Sequence, residues 1–105
     1  MHPVKHLLIK IEAEMKHLDL WAATPPSNEA LASRQPFAID TLSFDQWLQW
    51  IMLPRLDWII QQNHCLPSNC HIAPYAEEAV KQLAADTQDL LRLIKQLDQA
   101  LNRVH

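Results

Sequence analysis

The densest group of chemically versatile side chains in the chain is the run His64-Cys65-Leu66-Pro67-Ser68-Asn69-Cys70-His71. Two thiols and two imidazoles form a ligand set that zinc accepts. Common zinc sites place a second ligand pair far along the chain, whereas here one short loop would have to wrap the metal alone. A metal site, a short disulfide between Cys65 and Cys70, and a plain interhelical loop are the alternatives, and the pattern favours the loop.

Nucleophilic catalysis has little support in the sequence. Cys65 and Cys70 lie close to histidines, which would allow a reactive thiolate. No carboxylate lies nearby in the sequence to orient such an imidazole. The serines are better explained as helix caps or turn formers.

Acidic residues occur in pairs that could in principle exchange protons, at Glu77/Glu78, Asp86/Asp89 and Asp40/Asp45. General acid–base catalysis needs burial to shift a carboxyl pKa, and the pairs near the C-terminus face away from the apolar stripe there. We therefore expect no catalytic residues, no cofactor and no enzyme activity.

The composition excludes several other classes of function. The 105 residues include no glycine, which rules out glycine-rich phosphate loops and the dinucleotide fingerprint. The net charge is −3 and no segment is a basic stripe, so direct nucleic-acid binding is not expected. No apolar run is long enough to span a membrane, and the first residues do not resemble a signal peptide. We expect a cytoplasmic protein with reduced cysteines.

Aromatic side chains are concentrated at Phe37, Phe44, Trp47, Trp50 and Trp58. They could all form the core, but each Trp buries about 150–250 Å², which crowds a domain of this size. Trp and Arg are also common anchors of protein interfaces. We therefore predict an interaction surface formed by Arg34, Gln35, Phe37, Asp40, Trp47, Trp50 and Arg55.

Three helical regions position these residues. Apolar residues step by three and four through residues 2–20, with charged residues opposite. Ser27 or Asn28 can cap a short helix through Ser33, and residues 34–42 read as an ordered loop. A capping box at Ser43 and Gln46 predicts the start of a nearly all-apolar helix over residues 44–62. Pro54 must kink this helix or split it into two. The apolar pattern continues past Pro54, which favours a kink.

The last helix is expected over residues 74–102, with a heptad seam at Ala76, Val80, Leu83, Thr87, Leu90, Ile94, Leu97, Leu101 and Val104. Such a helix would be about 45 Å long, and the first helix only about 27 Å. Part of the seam would then lack a partner, which motivates self-association through residues 90–104. The predicted fold is all-α: one domain over residues 1–105, a small antiparallel bundle of three to four helices with a Pro-kinked central helix and a long C-terminal helix.

Residues 35–37, 40–50 and 53–55, with the sequences Gln-Pro-Phe, Asp-Thr-Leu-Ser-Phe-Asp-Gln-Trp-Leu-Gln-Trp and Leu-Pro-Arg, resemble the YqcC-like family of small bacterial proteins of unknown function. The likeness extends to residues 11–21, to Ile72-Ala73-Pro74 and to Glu77-Glu78-Ala79, and so covers most of the chain. It implies an all-helical bundle. The Cys65/Cys70 pair is not part of the pattern.

That family sometimes bears the label tRNA pseudouridine synthase C. Uridine isomerisation needs a catalytic Asp in a deep RNA-binding cleft, and this chain is short, helical and acidic. Asp40 could be nominated, but a cap or turn role fits it better. We expect a non-enzymatic interaction or accessory module whose unknown protein partner could be an RNA-modification enzyme. A role associated with tRNA pseudouridine synthesis, and a small apolar ligand held beside Pro54, are the alternatives.

Overall fold

The computed structural model describes residues 2–65, 71–81, 83 and 86–103. These residues form helices joined by turns and contain no strand, which confirms the predicted all-α fold. A 3-10 turn lies at Pro36–Ala38, and a π turn lies at Leu48–Met52. The helices are α1 (Pro3–His17), α2 (Asn28–Leu31), α3 (Phe44–Trp47), α4 (Leu53–Gln61), α5 (Ile72–Val80) and α6 (Gln88–Arg103).

Helix α1 forms where the apolar stripe predicted it. Pro3 occupies the first turn, where a missing N–H breaks no intrahelical bond. The ring nitrogen Nδ1 of His2 accepts a hydrogen bond from the backbone N–H of Val4 at 3.1 Å and so caps the helix. The stripe residues Val4, Leu8, Ile11 and Met15 are all buried in the core.

The C-terminal ends of α1 and α4 show how helices terminate in a chain without glycine. Helices often end with a glycine of positive φ, because such backbone costs other residues energy. Here Asp19 (φ 61°) and Asn63 (φ 57°) take that conformation. The N–H of the next residue then donates to a carbonyl five residues back, at 2.8 Å after α1 and 3.1 Å after α4. Short polar side chains thus replace glycine at both ends.

The central helix, defined as residues 44–61, runs continuously from α3 through the π turn into α4. Its predicted capping contact is confirmed, since Oε1 of Gln46 accepts from the backbone N–H of Ser43 at 3.0 Å. The N–H of Leu53 donates to the carbonyl of Leu48, five residues back, and Pro54 follows immediately. The widened π turn accommodates the proline within one continuous helix.

The C-terminal helix is confirmed as the longest described helix, but the prediction of one continuous helix over residues 74–102 is wrong. Helix α5 ends at Val80 and α6 begins at Gln88. Oδ1 of Asp86 accepts from the backbone N–H of Gln88 at 3.2 Å, which caps the new helix start. Asp98 accepts from Ile72 at 3.1 Å and Lys95 pairs with Glu77 at 3.2 Å, so α5 and α6 lie antiparallel.

The heptad seam is buried by this reversal of the chain. Its described members Ala76, Val80, Thr87, Leu90, Ile94, Leu97 and Leu101 are all buried, and Leu83 is half-buried. Helix α6 packs against both α1 and α5, so the seam has its partners within one chain. The unpartnered stripe that motivated self-association is therefore not seen in residues 90–101, and Val104 lies outside the described residues.

Candidate interaction surface

The two flanks of the central helix line two different grooves. The first, called the Trp47 groove, has a volume of about 710 Å³. Along the helix it is lined at every fourth position, by Trp47, Ile51, Arg55 and Ile59, with Met52 and Leu56 beneath them. The other walls come from elsewhere in the chain: Ser33, Gln35, Phe37, Ala38, Cys65, His71, Ile72 and Leu101. The floor of the groove is therefore mainly apolar, and most of its polar side chains come from the other walls.

Aromatic packing builds one wall of the Trp47 groove. The ring of Phe37 meets Trp47 edge-on, with the centroids 4.8 Å apart, and lies 4.6 Å from Tyr75. Phe44 closes the cluster against Tyr75 at 5.2 Å. Burial raises the pKa of the Tyr75 phenol above its ordinary value. The wall is aromatic and mainly apolar.

Backbone of unusual conformation holds Phe37 in this wall. Phe37 (φ 58°) and Ala38 (φ 49°) both lie in the left-handed region that disfavours residues with a Cβ. Ala38 is buried, and its carbonyl accepts hydrogen bonds from the N–H groups of Thr41 and Leu42 at 3.0 and 2.8 Å. The Oγ1 of Thr41 donates to the carbonyl of Ala30 at 2.7 Å. These contacts and the aromatic packing offset the cost of the backbone conformation.

Among the described residues, Arg55 is the only formally charged one that lines the Trp47 groove. Its side chain is exposed and forms no ion pair with any described residue. Gln35 and His71 are exposed nearby along the same groove, as is the free thiol of Cys65. The groove therefore combines an apolar floor with one unpaired cation.

The second groove, called the Trp50 groove, has a volume of about 470 Å³ and lies on the other flank of the central helix. Lys5 and Asp57 pair across it and tie α1 to α4. Trp21, Trp50 and Pro54 also line it. The indole N–H of Trp50 is buried without an acceptor among the described residues.

A buried amide that sequence reasoning missed shapes the Trp50 groove. Gln49 is 5% exposed, and its side-chain amide forms hydrogen bonds with both the N–H and the carbonyl of Ala22. Its Oε1 accepts from the N–H at 2.8 Å and its Nε2 donates to the carbonyl at 2.7 Å. The only signal in the sequence is a glutamine inside a nearly all-apolar helix. Its partner lies 27 positions away and could not have been identified.

The structure divides the predicted interaction surface. Gln35, Phe37, Trp47 and Arg55 line the Trp47 groove together. Trp50 lines the other groove, although residues three apart share a face of a regular α-helix; the π turn over Leu48–Met52 increases the angle between the two side chains. Arg34 and Asp40 are exposed and line neither groove. Asp40 accepts a hydrogen bond from the hydroxyl of Ser33 on the surface, in the turn role expected for it.

The histidine- and cysteine-rich run is only partly described. Residues 66–70 lie outside the described residues, and with them the alternatives that involve Cys70. His64 stacks on Trp58 with ring centroids 5.6 Å apart, and Cys65 and His71 are exposed. Within the described part of the chain, no three His, Cys, Asp or Glu side chains lie close enough to hold a metal ion. None of the described helices is long and apolar enough to cross a membrane.

Comparison with known proteins shows the family. Residues 3–100 match the family DUF446, which is described as tRNA pseudouridine synthase C. The chain belongs to this family. The fold agrees with that membership, since the solution NMR structure of the protein YqcC from Escherichia coli matches with a TM-score of 0.85. That match has 27% sequence identity and covers 97% of this chain and 87% of the other.

Curated relatives carry two kinds of name. An uncharacterized protein of Haemophilus influenzae is 38% identical over 98 residues, which is 93% of this chain and 92% of that protein. The uncharacterized protein YqcC of Escherichia coli is 30% identical, over 90% of this chain and 84% of that protein. A tRNA pseudouridine synthase C of Pectobacterium carotovorum is 36% identical over 64 residues, but these are only 17% of that protein. The resemblance to YqcC-like proteins is confirmed.

Proposed function

We propose that this protein is a non-catalytic accessory module that binds a protein partner through the Trp47 groove. One observation carries the proposal: a groove of about 710 Å³ with a mainly apolar floor has a single unpaired guanidinium, that of Arg55. An apolar anchor region with an Arg beside it is typical of protein interfaces. The aromatic wall supports the proposal, because its rings already pack on one another and would need no rearrangement on binding.

The roles of the acidic side chains support a non-catalytic function. The one buried carboxylate among the described residues belongs to Asp98, and it accepts hydrogen bonds from the backbone of Ile72 and Ala73. Asp40 is exposed on a surface turn, where solvent keeps a carboxylate from acquiring the properties of a buried catalytic acid. Both groups serve the fold.

We further infer that the partner belongs to the machinery of tRNA pseudouridine synthesis. The family description supports this, as does the Pectobacterium protein, in which the matching segment is a small part of a chain named for that activity. A segment joined to an enzyme in one chain is a natural candidate for a separate protein that binds the enzyme in another. Because its net charge is −3, we expect the module to act in the cytoplasm by contacting a protein and not by binding tRNA directly.

Affinity capture tests both parts of this proposal. The tagged protein is recovered from its host's extract, with and without nuclease, and the retained proteins are identified and quantified by mass spectrometry. We expect a stoichiometric protein partner that survives nuclease and is an RNA-modification enzyme. Recovery of the bait alone would contradict the accessory role, and a partner lost with nuclease would replace it with an RNA-binding role.

Matched variants assign the captured partner to a groove. Arg55→Ala removes the cation of the Trp47 groove, whereas Arg34→Ala removes an exposed guanidinium that lines neither groove. We expect the first to reduce the recovered partner several-fold and the second to leave it unchanged. Equal recovery with both variants, at unchanged helical circular dichroism, would contradict the assignment to this groove.

A further inference from the structure

We infer that the Trp47 groove binds an amphipathic helix of the partner that carries a carboxylate opposite Arg55. This inference rests on the proposed function and specifies the chemistry of the bound segment. Three features of the described residues support it: the secondary structure around the groove, the pairing of the other cations, and the shape of the groove.

The secondary structure favours a helical ligand. An extended peptide usually binds by adding a strand to an open sheet edge, which satisfies its backbone groups. The described residues contain no strand, so they offer no such edge. A helix satisfies its own backbone hydrogen bonds and can therefore lie on an apolar floor without such an edge. Along the central helix the groove presents Ile51 and Ile59, with Met52 and Leu56 beneath, as apolar contacts for one face of a bound helix.

The charges favour an acidic residue on that helix. Five described cations are neutralised in ion pairs: Lys5, Lys16, Lys81, Arg92 and Lys95. Lys10, Arg34 and Arg55 are exposed and unpaired among the described residues, and of these three only Arg55 lines a groove. A guanidinium beside an apolar surface binds a carboxylate through two parallel hydrogen bonds. A ligand that carries a carboxylate therefore complements this groove better than a neutral one.

The shape favours a peptide over a small molecule. Small-ligand sites bury most of their ligand's surface. Gln35, Arg55, Cys65 and His71 line this groove yet remain exposed, so the groove does not enclose a ligand at these positions. A bound helix would place its apolar side chains over Ile51 and Ile59.

A displayed library of amphipathic helices provides the test. Helices that bind the wild-type protein are selected and sequenced, and the selection is repeated against Arg55→Glu and against Arg34→Glu as a matched control. We expect Asp or Glu at a fixed spacing from the apolar anchors with the wild type and with the control. Selection on Arg55→Glu should enrich Lys or Arg at that position instead. An unchanged charge pattern on Arg55→Glu would overturn the inference.

The indole N–H signals of the four Trp residues locate the binding site by NMR. A selected acidic peptide should shift the signal of Trp47, which lines one groove, and leave those of Trp21 and Trp50, which line the other. The same peptide with Gln in place of its acid should bind about fivefold more weakly, and Arg55→Gln should remove that difference. Shifts confined to Trp21 and Trp50, or stronger binding by an apolar small carboxylate, would overturn the inference.

The two failures are distinguishable. If the partner is captured but its binding does not depend on Arg55, the accessory role stands and the acidic helix is wrong. If acidic helices bind at Arg55 but no partner is captured, the chemistry of the groove stands and the accessory role is wrong.

Discussion

The carboxylate of Asp98 in α6 caps the start of α5 by accepting a hydrogen bond from the backbone N–H of Ala73 at 2.8 Å. Its other oxygen accepts from the N–H of Ile72 at 3.1 Å. A negative charge at a helix N-terminus also interacts favourably with the aligned peptide dipoles. One buried side chain thus joins the two C-terminal helices.

Loss of this cap should destabilise the protein strongly. Asp98→Ala leaves two buried N–H groups without an acceptor and is expected to lower the free energy of unfolding by about 2–4 kcal/mol. Asp98→Asn keeps one acceptor and should cost about half as much. Urea unfolding measures both. Glu78→Ala removes an exposed acid of the same helix pair and should change stability little. Equal effects of Asp98→Ala and Glu78→Ala would contradict the capping role.

Glycine at position 38 should stabilise the chain. Ala38 has a φ of 49°, which costs a residue with a Cβ about 1–2 kcal/mol, and glycine avoids that cost while losing more entropy. Glycine also loses the buried methyl of Ala38, so we expect Ala38→Gly to raise the free energy of unfolding only slightly, by up to about 0.5 kcal/mol. The matched change Ala79→Gly, inside α5, should lower it by about 1 kcal/mol. The same sign for both variants would argue against the left-handed conformation of Ala38.

Stability should fall at alkaline pH because of Tyr75. Burial raises the pKa of its phenol in the folded state, while the unfolded chain ionises near the ordinary value of about 10. Between these two values the unfolded state binds fewer protons, so the free energy of unfolding decreases as the pH rises. Tyr75→Phe should remove that part of the decrease. Thermal unfolding of both proteins from neutral pH to above pH 10 measures it, and identical profiles would show that the phenol does not contribute.

The seam of α6 should stabilise the monomer itself. Leu97 is fully buried within one chain, so Leu97→Ala is expected to lower the free energy of unfolding by about 2–4 kcal/mol. The unfolding midpoint of the wild type should not depend on protein concentration, because the seam has its partners in the same chain. Ile39→Ala, at a position that is 60% exposed, serves as the control and should have little effect. A concentration-dependent midpoint would instead support self-association.

Much of the local structure could be predicted from the sequence. The apolar steps through Val4, Leu8 and Ile11 predicted the buried face of α1, because the helical period depends only on neighbouring residues. The capping contact of Ser43 with Gln46 was predicted for the same reason. The site was predicted less completely. Gln35, Phe37, Trp47 and Arg55 share a groove, but Trp50 lines another, and the local pattern did not separate Trp47 from Trp50.

The sequence by itself determined which residues are apolar, with what period, and where helices can start, and these properties determined the all-α fold and most of its core. Only the tertiary structure decided that the heptad seam is divided between two antiparallel helices, the first ending at Val80 and the second beginning at Gln88. The period is the same along a straight helix and along a folded pair, so it does not distinguish them. The choice depends on burial against α1 and on the cap that Asp98 supplies from 25 positions away. Such contacts exist only once the chain is folded.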